Sequence, residues 1–116
     1  FGVVNSLTID TDAGQDTITL TSTAFTFAGD ISIDGGVGND LISVTGKFGG
    51  ALDVFGSSDL DTITVSKSSV TGILTVDSGD GNDKITISST AAGGDVFLQS
   101  GVGNDTVQVT GSTVRA

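Results

Sequence analysis

Apolar residues recur along this chain in pairs with one residue between them, and the pairs themselves recur. Leu7/Ile9, Ile31/Ile33, Leu52/Val54, Leu74/Val76 and Val96/Leu98 form one series. Ile18/Leu20, Ile42/Val44, Ile63/Val65, Ile85/Ile87 and Val107/Val109 form a second. Every member is Leu, Ile or Val. Alternation with period two puts both members of a pair on one face of a β-strand. The residues between and beside them (Thr8, Ser32, Asp53, Thr75, Thr17, Thr19, Ser43, Thr64, Thr86) are mostly polar and are expected to face outward. This period, with the high content of Thr, Val and Ile, excludes helix.

Between the two series lies a glycine-rich turn that ends in aspartate. It reads Gly36-Val37-Gly38-Asn39-Asp40, Gly79-Asp80-Gly81-Asn82-Asp83 and Gly101-Val102-Gly103-Asn104-Asp105. Asp12-Ala13-Gly14-Gln15-Asp16 and Ser57-Ser58-Asp59-Leu60-Asp61 are weaker copies. The closing aspartates Asp16, Asp40, Asp61, Asp83 and Asp105 are 24, 21, 22 and 22 residues apart. A fixed period in this range marks a solenoid with one coil per repeat. A third apolar column follows each aspartate at eight or nine residues: Phe48, Val70, Ala92 and Val114. In the longer first repeat Phe25 and Phe27 compete for that place, and Val3 extends the column backward. The expectation is an all-β, single-domain, right-handed parallel β-helix over residues 1–116. It has about five coils of ~22 residues and three short strands per coil. The repeats are 1–22, 23–45, 46–66, 67–88 and 89–116. With coils about 4.8 Å apart, five make a rod of roughly 24 Å with a narrow shared core.

Composition narrows the function classes. All 14 acidic residues are aspartate, and four Lys and Arg leave a net charge of −10. That balance argues against nucleic acid or an anionic membrane as partner, because phosphate contacts need basic side chains. No apolar run approaches the roughly 18 residues of a membrane span. There is no Cys, so neither a disulfide framework nor a thiolate metal site is available. The start, Phe1-Gly2-Val3-Val4-Asn5, lacks the basic region of a signal peptide and reads as a mature chain or an excised piece. A catalytic reading is poor. Asp30, Asp53 and Asp95 fall in different registers, and no His, Glu or Tyr is present to share acid–base work.

The closing aspartates would stack one coil apart on one edge of the rod. Asp10, Asp34 and Asp77 stand six residues before them, and Asp12, Asp59 and Asp80 lie within the turns. Carboxylates about 4.8 Å apart repel by roughly 1 kcal/mol in water and about 3.5 kcal/mol at an effective dielectric of 20. Calcium suits such an edge, because it takes six to eight oxygens from carboxylates and backbone carbonyls. The turns resemble the hemolysin-type (RTX) calcium-binding repeat, G-G-x-G-x-D-x-U-x. Residues 35–43 match it at every specified place, and residues 78–86 and 100–108 lack only the first glycine. The resemblance implies calcium held by the carboxylates of Asp40, Asp83 and Asp105. Carbonyls around Gly36, Gly38, Gly79, Gly81, Gly101 and Gly103 would complete the set. Asp16 and Asp61 hold the same place in the weaker turns, with Asp34, Asp77 and Asp80 nearby. The repeat of that family runs at about eighteen residues per coil with calcium on both edges, whereas one turn per ~22 residues leaves one edge for metal. The whole pattern is also similar to the long β-strand repeat arrays of bacterial surface proteins.

A simpler chemistry fits the same residues. Asp and Asn in turns commonly bond backbone amides, and Asn39, Asn82 and Asn104 could form a ladder without metal. Thr pairs such as Thr17/Thr19 and Thr62/Thr64 raise ice binding or an adhesive face as an alternative, though Leu41, Ser43, Lys84 and Gln108 interrupt the rows. The expectation is a non-enzymatic, calcium-binding structural module of a secreted or bacterial cell-surface protein. It would serve as a rod or spacer. Its partners would be copies of itself end to end, or neighbouring repeats of a longer chain.

Overall fold

The alternating pairs become strands that stack coil upon coil in a computed structural model, which describes residues 6–114. In chain order the strands are β1 (Ser6–Asp10), β2 (Thr17–Phe27), β3 (Asp30–Asp34), β4 (Leu41–Phe48), β5 (Leu52–Phe55), β6 (Thr62–Ser66) and β7 (Ser69–Val70). They continue as β8 (Leu74–Asp77), β9 (Lys84–Ser88), β10 (Ala91–Ala92), β11 (Val96–Gln99), β12 (Thr106–Thr110) and β13 (Thr113–Val114). All pairings are parallel. One sheet runs β1-β3-β5-β8-β11; the other runs β2-β4-β6-β9-β12 and carries the short third strands β7, β10 and β13. The fold is a β-solenoid of about five coils of about 22 residues.

Register explains why the pairs had to recur. Leu7, Ile31, Leu52, Leu74 and Val96 are partners across one sheet, as are Ile18, Ile42, Ile63, Ile85 and Val107 across the other. Parallel in-register stacking places each inward side chain directly over its equivalent. Ile33, Ile42, Val44, Leu52, Val54, Ile63, Val65, Val76 and Ile85 are fully buried between the sheets. Shape-matched Leu, Ile and Val repeat at a constant spacing, so one packing solution serves every coil.

In the third column the structure decides one open choice and departs from expectation in one respect. Phe27, not Phe25, pairs with Phe48 and so with Val70, Ala92 and Val114. The backbone register shifts between Ser22 and Thr26, so Thr23, Ala24 and Phe25 loop out and Phe25 is 67% exposed. The Ser22 hydroxyl donates to Phe25 O at 2.9 Å and closes this insertion. In the first two coils the second and third strands are also one continuous strand, and they separate only from β6 onward. Val3 lies outside the described residues.

Candidate functional site

Glycine-rich turns join the first sheet to the second, and they stack in the register the spacing implied. Ala13, Val37, Ser58, Asp80 and Val102, the middle residues of the five turns, form a continuous parallel bridge ladder. Gly36 and Gly79 both have φ of +88°, and Gly101 has +72°. The weak third turn keeps this shape with side chains present: Ser57 has φ +86° and Asp59 φ +80°. A side chain in this left-handed region costs about 1–2 kcal/mol. At Gly81 a Cβ would fall on the carbonyl of Asp59 in the preceding coil, inside van der Waals contact. We therefore expect opposite signs from two substitutions in adjacent turns. Asp59→Gly should raise stability by about 1 kcal/mol, and Gly81→Ala should lower it by about 2 kcal/mol or more. Denaturant midpoints read both, and a loss from Asp59→Gly would show that its side chain does more than tolerate the turn.

The closing aspartates stack beneath this ladder, and their amides and carboxylates link the coils. The Asp16 amide donates to Asp40 Oδ1 at 2.8 Å, Asp40 to Asp61 Oδ1 at 2.9 Å, Asp61 to Asp83 Oδ1 at 2.8 Å and Asp83 to Asp105 Oδ1 at 3.0 Å. Their carbonyls are engaged as well: Asp16, Asp40, Asp61 and Asp83 each accept an amide from the following coil at 2.8–2.9 Å. Asp40, Asp61 and Asp83 are buried, whereas Asp16 and Asp105, in the outer described coils, are half-buried. The turn-capping chemistry foreseen for these residues is present, and it runs between coils instead of within one turn. Its consequence is asymmetric. Oδ1 of each inner carboxylate is satisfied, but Oδ2 of Asp16, Asp40, Asp61 and Asp83 is buried without any hydrogen-bond partner.

Glycine also makes room for these carboxylates. A Cβ on Gly35 would lie 2.5 Å from Asp40 Oδ2, and one on Gly56 would fall against Asp61 Oδ2. Burial is the main force on Asp61. It pushes the carboxyl up from 3.8 to about 6, opposed by the bond from the Asp40 amide and reinforced by the charges of Asp40, Asp83 and Asp59.

The remaining expected site residues divide. Asp34 and Asp77 lie outside the column, where Oδ1 of each accepts the amide of its own turn's first glycine, Gly36 at 3.0 Å and Gly79 at 3.1 Å. Asp34 also accepts the Ser57 hydroxyl at 2.7 Å. Asp80 is exposed at a turn apex. Gly36 O and Gly79 O accept amides from Ser58 and Val102, and so serve the bridge ladder. The second glycines, Gly38, Gly81 and Gly103, lie so close to the preceding coil that a Cβ would meet the carbonyls of Gly14, Asp59 and Gly81. Gly101 is packed in the same way against Gly79 O. The Asn ladder is partial: Asn104 donates its amide to Asn82 Oδ1 at 2.8 Å, while Asn39 Oδ1 accepts from Leu60.

Among the described residues no three acidic side chains converge on one point. A hard cation nevertheless fits the chemistry of the column. Its donors are all oxygen, and unpartnered buried carboxylate oxygens repeat from Asp16 to Asp83. No family profile, characterised protein or solved structure matches the chain.

One structural feature of the turns was not foreseen. The opposite corner, between second and third strands, is capped by hydroxyls. Ser68 accepts the Gly46 amide at 3.1 Å and donates to Ser66 O, and Ser112 accepts the Thr90 amide at 3.1 Å and donates to Thr110 O. The signal was legible as Ser22, Ser68, Thr90 and Ser112 recurring a few residues after the second apolar pair.

Proposed function

We propose that the chain is a structural solenoid module of a secreted or cell-surface protein, acting as a rod or spacer. Calcium neutralises its aspartate column in this reading. The observation that carries it is the run of buried, unpartnered Oδ2 atoms in a chain of net charge −10. A buried carboxylate oxygen without a partner is costly, and stacked like charges add to that cost. Bound calcium supplies positive charge that couples successive coils. Asp40, Asp83 and Asp105 are the residues we assign to hold it, with Asp16 and Asp61 in the weaker turns.

Melting in millimolar calcium and in chelator tests the reading. Calcium at a hundredfold excess over Kd stabilises the folded chain by about 2.7 kcal/mol, an upward shift of several degrees. Asp83→Asn should shrink that shift more than Asp61→Asn, because Asp83 closes a turn with both glycines and Asp61 does not. Superimposable curves would leave the carboxylates as turn caps alone.

The coil-to-coil junction supports the rod reading. The junction repeated inside the molecule pairs an aspartate amide with the next coil's carboxylate. The pairing recurs without change from Asp16 to Asp105, and the coils of Asp40, Asp61 and Asp83 each carry both halves of the junction. The partner we propose for either face is another coil of the same kind, from the same chain or another copy.

A further inference from the structure

The outward face of the second sheet differs chemically from the rest of the surface. In-register pairing sets Thr21 beside Thr45 and sets Ser66, Ser88 and Thr110 beside one another; the contact of Thr45 with Ser66 joins the two groups into one row across the five coils. The next outward row holds Thr19, Ser43, Thr64 and Thr86 and ends in Gln108. Nine of these ten residues carry a hydroxyl, and none is buried. The sequence pattern drew attention to Thr17/Thr19 and Thr62/Thr64, whose rows Leu41 and Lys84 break. Register shows that the regular array is displaced two residues along the strand.

Three observations give this array a meaning beyond the β-propensity of Thr. None of the fourteen aspartates stands among the outward residues of this sheet, although the first sheet carries Asp10, Asp34, Asp53 and Asp77 on its outward side. An acidic chain thus leaves one face free of carboxylates. The hydroxyls are also largely unspent. Within the two rows only Thr45 and Ser66 bond one another, at 3.4 Å. Finally, the rows repeat in two directions, about 4.8 Å from coil to coil and about 6.6 Å along each strand. β-Branching restricts χ1 at the six Thr of the rows, so their hydroxyls and methyls have few orientations to lose when a partner arrives.

A surface periodic in two directions can be matched over its whole area only by a partner that is itself a lattice. Carboxylate-free hydroxyls and methyls suit ordered water. A crystalline polysaccharide would be gripped by aromatic stacking, and neither row carries an aromatic residue. We propose that this face binds ice, through the rows of Thr21 and Thr19. The proposal is independent of calcium at the turn edge.

Slow freezing of a dilute solution onto a cold surface provides the test, with the protein's share in the ice compared with that of an inert protein of similar size. The native chain should be enriched in the ice and should show thermal hysteresis, in calcium and in chelator alike. Thr64→Lys puts a charge at the centre of the array and should return partition to the level of the inert control. Thr75→Lys, outward on the first sheet, should leave it unchanged. Both sites are half-buried strand positions, and melting curves check that both variants fold. Exclusion of the native chain from ice overturns the proposal, as does equal loss from the two substitutions. Retention on crystalline chitin or cellulose without enrichment in ice also overturns it, in favour of a carbohydrate surface.

Discussion

Ile63→Ala should cost 2–5 kcal/mol, a loss typical of deleting a fully buried branched side chain. Ile63 is wholly buried and lies between its equivalents Ile42 and Ile85, which are also fully buried. The cavity would therefore open on two coils at once. In-register stacking limits collapse, because moving one coil toward the gap breaks parallel hydrogen bonds on both sides. Loss on this scale is a large fraction of the stability of a small domain. Thr64→Ala changes the neighbouring residue on the outward face and should cost less than about 0.5 kcal/mol. Urea denaturation of the two variants against the native chain gives both numbers. Comparable losses would mean that the alternation of buried and outward residues on β6 is not what holds the coils together.

That alternation was legible because it depends on local sequence repeated at a constant interval. Leu7, Ile31, Leu52, Leu74 and Val96 had to be partners once the spacing was read, since a slip of one residue turns every pair outward. The turns were legible for the same reason, and Ser58 could be placed over Val37 despite the loss of both glycines. The third strand was not. Thr23, Ala24 and Phe25 break the spacing, and a repeat carries no signal for where an insertion loops out. Phe27 wins the inward place because it meets Phe48 in register. The aspartate column was visible as a column, but its wiring was not. That Asp40 accepts from Asp16 and donates to Asp61 depends on which way each carboxyl turns between coils. Half of the hydroxyl array was hidden too: the Thr19 row was legible, whereas the Thr21 row emerges only when Ser66 and Ser88 are set beside Thr45 and Thr110.

The wiring of the column leads to a second expected result: Asp61→Asn should stabilise the chain at neutral pH in the absence of calcium. Asn keeps an Oδ1 acceptor for the Asp40 amide and removes a charge buried between Asp40 and Asp83. The sign follows from the raised titration. Burial, with the charges of Asp40, Asp83 and Asp59, lifts the Asp61 carboxyl from 3.8 to about 6 in the folded chain. Folding then favours the protonated form. The favourable contribution is full below 3.8, declines as pH rises, and is gone above about 6. At full strength that interval is worth about 3 kcal/mol, and relaxation of the surroundings around a buried charge lowers it to about 1–2 kcal/mol. In chelator, the native chain should lose this amount between pH 4 and pH 7 by way of Asp61 (about the interval set by its titration), and Asp61→Asn should flatten that part of the curve. At pH 7 the variant should melt several degrees higher than the native chain. With calcium present the advantage should shrink, because neutralisation by the ion replaces neutralisation by substitution. A variant less stable than the native chain at pH 7 in chelator would show that the Asp61 charge contributes to the fold, contrary to the cost assigned to its unpartnered Oδ2.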